Sequence, residues 1–210
     1  GRWLALPLGS LLALAFAPGA QYLLAFACTA ALFVLWHDAS PREAAWRGFL
    51  FTVGTFLAGT YWLFHSIHLI GQAPVWVALL LMLGLVAIMG VYTAIVGYVG
   101  ARWAPADGAL RWLFLLPALW VLSEWLRGWF LSGFPWLALG YSQLATPLRG
   151  FAPLFGVYGV SLAAAVTAGD DGAVVVRHEQ AQVAVVPEAG AVGRERVDGC
   201  VEGAGPVEEP

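Results

Sequence analysis

Glu124 and Arg127 are the only charged residues in the apolar run 112–131, within Ser123-Glu124-Trp125-Leu126-Arg127-Gly128-Trp129. Three residues apart on a helix, they share a face and can pair. An ionisable group at membrane depth is costly, so it faces an interior, a cavity or a partner. Two roles stay open for the pair: a structural ion pair near the interface, or a polar patch facing lipid headgroups or a substrate groove. Just downstream lies Ser132-Gly133-Phe134-Pro135-Trp136-Leu137-Ala138-Leu139-Gly140-Tyr141-Ser142-Gln143. It has too few polar groups for a solvent loop and too many chain breakers for a span, so it reads as a re-entrant or interfacial segment. Trp136 and Tyr141 suit the headgroup region, where an aromatic ring and a polar handle are both satisfied. The residues expected to face lipid or substrate, or to brace that surface, are therefore Glu124, Arg127, Trp136, Tyr141 and Gln143.

Other groups carry less. His65 and His68 share a helical face, but no Cys, Asp or Glu stands nearby in sequence to complete a metal site, and they read as interfacial polar residues. Cys28 lies in an apolar run and Cys200 in the acidic C-terminal stretch, so neither a disulfide framework nor a CxxC metal spacing is present. All ten basic residues are Arg. Without lysine, Schiff-base chemistry and a phosphate-binding P-loop lysine are excluded. No metal, cofactor or nucleic-acid partner is expected.

The elements that must position these residues follow from composition. The chain has 210 residues, 60% apolar and 11% charged, where a soluble domain carries about 25% charged residues. Residues 1–169 hold seven Arg against four acids, and residues 170–210 hold three Arg against nine. A helix of about 20 apolar residues crosses a bilayer core. The apolar stretches predict six spans, near 3–17, 20–36, 49–70, 75–99, 112–131 and 151–168, with polar loops at 37–47 and 102–111. Ala17-Pro18-Gly19 breaks the first two apart. With the N-terminus in the cytoplasm, Arg2, Arg42, Arg47, Arg102 and Arg111 collect inside, and Arg127 and Arg149 outside, which favours that orientation. Gly54 with Ala58, Thr55 with Gly59 and Gly90 with Ala94 have the spacing of small residues at helix crossings. The expected fold is an all-α membrane bundle over residues 1–169. Residues 170–210 lack any Leu, Ile, Met, Phe, Tyr or Trp. They read as a disordered acidic tail, in preference to short strands at 174–176 and 183–186. The change of vocabulary after Gly169 is abrupt enough to suggest truncation or departure from the natural reading frame.

The runs Pro117-Ala118-Leu119-Trp120, Glu124-Trp125-Leu126-Arg127-Gly128-Trp129, Gly133-Phe134-Pro135-Trp136 and Gly140-Tyr141-Ser142-Gln143 are together specific. They resemble the bacterial apolipoprotein N-acyltransferase family. Pro147-Leu148-Arg149-Gly150-Phe151-Ala152-Pro153, Gly156-Val157-Tyr158-Gly159, Tyr61-Trp62-Leu63 and Ala15-Phe16-Ala17-Pro18 extend the resemblance over residues 1–169. It implies an enzyme of the bacterial cytoplasmic (inner) membrane, with eight membrane helices and an outer nitrilase-like domain. That enzyme moves an acyl chain from phospholipid to the N-terminal diacylglyceryl-cysteine of a lipoprotein. The resemblance further implies a Glu-Lys-Cys triad: a cysteine thiolate forms a thioester, with glutamate as base and lysine on the oxyanion.

The 210 residues contain no lysine and no nitrilase-like stretch, so no catalytic residue is assigned here. Pro187-Glu188 and Cys200 lack the surroundings to take such roles. The chain is expected to be the membrane portion of such an enzyme, inactive as it stands. Its expected partners are a phospholipid acyl donor, a diacylated apolipoprotein and membrane lipids. From another class, a non-enzymatic six-span transporter or scaffold fits the composition too.

Overall fold

A chain with so little polar surface must satisfy its backbone N–H and C=O groups internally, and local helical bonds do this without help from water. The computed structural model describes residues 2–16, 21–103, 108–130 and 133–201, with side chains as far as residue 181. Among these residues every regular element is helical. The elements are α1 (Ala5–Leu12), α2 (Tyr22–His37), α3 (Pro41–Gly59), α4 (Trp62–His65), α5 (Val75–Trp103), α6 (Leu116–Trp129) and α7 (Ala152–Val201). The break expected at Ala17-Pro18-Gly19, the Pro105–Asp107 part of the 102–111 loop and the side chains of Pro187, Glu188 and Cys200 lie outside the described residues.

α5 covers the 75–99 expectation and extends it to Trp103. Elsewhere the boundaries change. The expected polar loop 37–47 contains the start of α3. Pro41 takes the first helical position, and Ser40 Oγ accepts from Glu43 N at 3.3 Å. Ser-Pro-Arg-Glu is a helix N-terminus, and its polarity disguised it as a loop. The expected span 49–70 is not one helix. α3 stops at Gly59, where Thr60 turns the chain and returns its hydroxyl to the Phe56 carbonyl at 2.6 Å. α4 then passes into a wider helical turn, Ser66–Ile70. A similar wide turn, Leu110–Leu115, precedes α6. Pro117 has no N–H to donate, and Leu116 N reaches back to the Arg111 carbonyl instead.

α7 contains one break, at Gly156, whose φ of 63° and ψ of −164° belong to a region essentially reserved for glycine. Order was expected to end near residue 169, yet the helix continues to Val201. Its Ala, Glu, Gln and Arg are good helix formers, and the stretches 174–176 and 183–186 are helical rather than extended. Gly1–Ala173 group as one unit and Val174–Pro210 as a second. Two described stretches are long and apolar enough to cross a membrane, Val75–Trp103 and Pro147–Ala181. Arg2–Ala15 and Tyr22–His37 are apolar but shorter.

α3 is the central helix, packed against α5 on one side and α1 on the other. These crossings are close because glycine lets backbone meet backbone. A Cβ on Gly97 would stand 2.5 Å from the Ala44 carbonyl oxygen and 3.0 Å from the Trp36 ring. Gly54 sits equally tightly on the Leu6 carbonyl. Thr52 Oγ1 donates to Thr93 Oγ1 at 2.7 Å across the α3–α5 seam. Beyond α3, Arg111 is buried rather than a free loop charge. Its Nη2 donates to the Trp36 carbonyl at 3.0 Å and the His37 carbonyl at 3.3 Å, closing the C-terminus of α2. Large apolar side chains such as Leu80, Leu83, Val91 and Ile95 on α5 point outward.

The α3–α5 seam makes a direct prediction. Gly97→Val should destabilise the chain by about 1–3 kcal/mol through overpacking. Gly84→Ala, where a Cβ meets nothing within 4 Å, should be neutral or gain up to about 1 kcal/mol of helix propensity. Thermal midpoints in detergent compare the two, and equal effects would contradict the close crossing.

Candidate functional site

The site grows from the segment after α6. Gly133 takes a φ of +73°, and Phe134 N donates to the Arg127 carbonyl at 2.8 Å, turning the chain back along α6. Leu137 also has positive φ, 57°, an unusual state for a leucine that persists only when its surroundings fix it. Beyond it Leu139 N donates to Glu124 Oε1 at 2.8 Å, and Gly140 N donates to Ser161 Oγ of α7 at 2.8 Å. Leu139–Gln143 then forms a tight helical turn. Pro135, Trp136 and Leu137 are thus strung between two anchors on α6.

This segment closes over the ends of α1 and α3 and leaves a groove of about 730 Å³, within the size range of small-molecule sites. Leu14, Phe16, Trp62, Trp136, Leu137 and Tyr141 are among its walls. Trp136 and Tyr141 are half exposed. Trp136 stacks on Phe134 with ring centres 5.4 Å apart, and Trp62 stands 6.2 Å away. Leu137 packs against Gly59, the last residue of α3. The surface is apolar with a phenol and indoles at its edge, so chemically it suits a hydrocarbon chain carrying a polar head.

Glu124 and Arg127 lie beneath it, 3% and 7% exposed. Glu124 Oε1 accepts from Trp120 Nε1 at 3.0 Å and from Leu139 N. Arg127 Nη2 stands 4.0 Å from the same oxygen, an ion pair without a hydrogen bond, and its guanidinium lies over the Phe56 ring at 5.2 Å. Glu124 Oε2 and Arg127 Nε and Nη2 have no hydrogen-bond partner among the described residues. Thr52, Thr55, Thr93 and Ser123 join the pair around a cavity of about 20 Å³, room for roughly one water.

The five residues singled out from sequence therefore separate. Trp136 and Tyr141 line the groove, while Glu124 and Arg127 support it from inside the bundle. Gln143 is fully buried. Its Nε2 donates to Ser142 Oγ at 2.8 Å, and Thr146 Oγ1 donates to its Oε1 at 3.2 Å and to its main-chain carbonyl at 3.0 Å. It lies inside the turn and not on the groove, because each end of its amide meets a neighbouring hydroxyl, one as donor and one as acceptor. His65 and His68 flank Phe64 at ring-centre distances of 5.8 Å and 5.6 Å, and His68 Nδ1 lies 2.7 Å from the Ala73 carbonyl. Among the described residues no three His, Cys, Asp or Glu gather as metal ligands. Sequence reasoning missed Trp120, Trp62, Leu137 and Ser161 as parts of the site. Trp120 was within reach, since it lies one turn before Glu124 on the same face. The others are joined only by the fold.

The family described as Apolipoprotein N-acyltransferase N-terminal domain matches residues 8–169, which include the groove and both anchors. The apolipoprotein N-acyltransferase of Methylococcus capsulatus is 45% identical over 166 residues, 79% of this chain and 33% of that protein. The protein of that name from Coxiella burnetii is 44% identical over 167 residues, 79% of this chain and 34% of the relative. The Vibrio vulnificus counterpart is 38% identical over 179 residues, 85% and 35% respectively. The chain thus spans about a third of the length of the curated relatives it matches.

Burial of both charges fixes the expected cost of separating them. Glu124→Gln and Arg127→Gln should each lower the stability of the whole chain by about 3–5 kcal/mol, because each leaves the other charge buried and unpaired, a cost separate from the geometry of the groove in chains that fold. The double variant should lose less than the sum. Denaturation of the detergent-solubilised chain measures the cycle, and strict additivity would show that the two do not act as a pair.

Proposed function

The chain belongs to the apolipoprotein N-acyltransferase N-terminal domain family, and from that membership we propose that it forms the membrane-embedded part of an enzyme. That enzyme transfers an acyl chain from phospholipid to the N-terminal diacylglyceryl-cysteine of a lipoprotein. The observation that carries the proposal is the match over residues 8–169, because that stretch contains every element of the groove. In this reading the groove receives an acyl chain, and Trp136 and Tyr141 stand at headgroup level as interfacial anchors. Glu124, Arg127 and Gln143 hold the segment from within. The partners are the phospholipid donor, the diacylated apolipoprotein and the surrounding membrane lipids.

The location is the bacterial cytoplasmic membrane, crossed six times with the N-terminus inside. The outward leucines of α5 support a lipid-facing surface, since such side chains have no favourable place against water. The short first two helices call for local thinning of the bilayer, a modest cost. By resemblance the covalent step belongs to a Glu-Lys-Cys triad. The 210 residues contain no lysine, so they supply the lipid-holding surface and not the ammonium that would steady an oxyanion.

Two experiments test this reading. Exchanging the matching segment of the Methylococcus capsulatus relative for residues 8–169 should give a chimera that N-acylates a diacylated lipopeptide in phospholipid micelles. The 210-residue polypeptide alone should give no product above mock membranes. A chimera that inserts and folds yet transfers nothing would overturn the assignment, and product from the polypeptide alone would overturn the placement of the chemistry. For topology, reporter fusions after Ile70 and Gln143 should read as outside and those after Arg42 and Arg102 as inside. The reverse pattern would refute the orientation.

A further inference from the structure

We propose that Glu124 is a positioning residue of the groove: its Oε1 holds Leu139 N, and so keeps Trp136 and Leu137 in place as groove walls. The inference rests on reading the groove as an acyl-chain site. Its physical basis is the strained turn between two anchors. Leu137, with φ at 57°, lies between Phe134, bound to the Arg127 carbonyl, and Leu139, bound to Glu124. A leucine keeps positive φ only while both sides of the turn are restrained. The first restraint is a backbone carbonyl of α6, present whatever side chain stands there. The second is a carboxylate oxygen 15 residues away in sequence, shared with Trp120 Nε1.

A hydrogen bond buried to this degree is costly to leave unmade, because its donor loses its partner away from bulk water. Loss of it frees Leu139 N, relaxes the Leu137 turn and lets Trp136 leave its place beside Trp62. The decisive property is therefore an acceptor oxygen, not a negative charge. Glu124→Gln retains a carbonyl oxygen for both donors and should preserve the groove even though it unbalances Arg127. Glu124→Leu removes the acceptor. Leu139→Pro removes the donor and leaves the carboxylate untouched. The backbone there accepts proline, since Ala138 has φ −67° and ψ 137°, the extended conformation a residue before proline adopts, and Leu139 opens a helical turn; the variant also shortens the buried Leu139 side chain.

The test reconstitutes the 210-residue chain in phosphatidylethanolamine–phosphatidylglycerol vesicles containing a trace of phosphatidylethanolamine with a diazirine in its acyl chain. After illumination, mass spectrometry compares labelling of Trp62, Trp136 and Tyr141 with that of Leu80 and Leu83 on α5, per folded chain. Wild type and Glu124→Gln should favour the groove. Glu124→Leu and Leu139→Pro should each lower the groove-to-α5 ratio by about tenfold, the equilibrium equivalent of one ordinary hydrogen bond. If either variant fails to fold, the other decides. Wild-type groove labelling no higher than α5 would overturn the acyl-chain reading and this inference with it. A groove preference in wild type that survives in the folded variants would overturn the positioning role alone. Loss of the preference in Glu124→Gln to the same extent as in Glu124→Leu would show that charge, not the acceptor, matters, and would also overturn it.

Discussion

A carboxylate taken out of bulk water must find its partners inside the protein, and the neighbourhood of Glu124 is organised by that constraint. Trp120 offers an indole N–H from one turn earlier on α6, and Leu139 offers a backbone N–H from the returning chain, both to the same oxygen. Arg127 supplies the opposite charge at 4.0 Å. Each of these partners is tied to something larger. Trp120 packs edge-on to Phe33 of α2 and Phe51 of α3, and Arg127 lies over Phe56 of α3. The charge thus couples α2, α3, α6 and the groove segment, because displacing any partner would leave a buried polar group unsatisfied.

The rest of the bundle solves a different problem. In the proposed membrane setting the surroundings are as apolar as the side chains, so burial of hydrocarbon gives little reason for helices to associate and close backbone contact must do more of the work. α3 shows this along its length. Its beginning meets α2 through the Trp36 Nε1 bond to the Ala44 carbonyl at 2.8 Å. Its middle meets α1 at Gly54 and α5 through the Thr52–Thr93 bond. Its end, Gly59, gives way to the Leu137 side chain. The groove opens where this helix stops, since Ala58 and Gly59 at the end of α3 are among its walls.

Much of this was legible residue by residue. Continuous apolarity between Val75 and Val99 announces α5, since no charge interrupts it. The spacing of Glu124 and Arg127 announces a shared face, and the aromatic, breaker-rich run 132–143 announces a segment that is neither span nor solvent loop. Other features were hidden by their own composition. Ser40-Pro41-Arg42-Glu43 looks like a loop because caps are polar, and the apolar run 49–70 looks continuous because hydropathy does not register the turn at Thr60. For Gln143 the sequence left two roles open, facing lipid or bracing the surface, because only the fold shows that Ser142 and Thr146 satisfy it within the turn.

By itself the sequence determined the helical class, the apolar segments and the family, because these depend on composition and on residue order within short stretches. Local pairings such as Trp120 with Glu124 belong to the same category, since a helix brings residues one turn apart together whatever surrounds it. Only the tertiary structure decided which residues form the groove. Leu14, Trp62 and Trp136 come from three separated parts of the chain, and no periodicity relates them. It also decided that the oxygen of Glu124 meets the N–H of Leu139, and that Leu137 takes a backbone angle its own type disfavours. The physical reason is that burial of a charge and closure of a strained turn draw on contacts between distant residues. Those contacts exist only after the helices have packed.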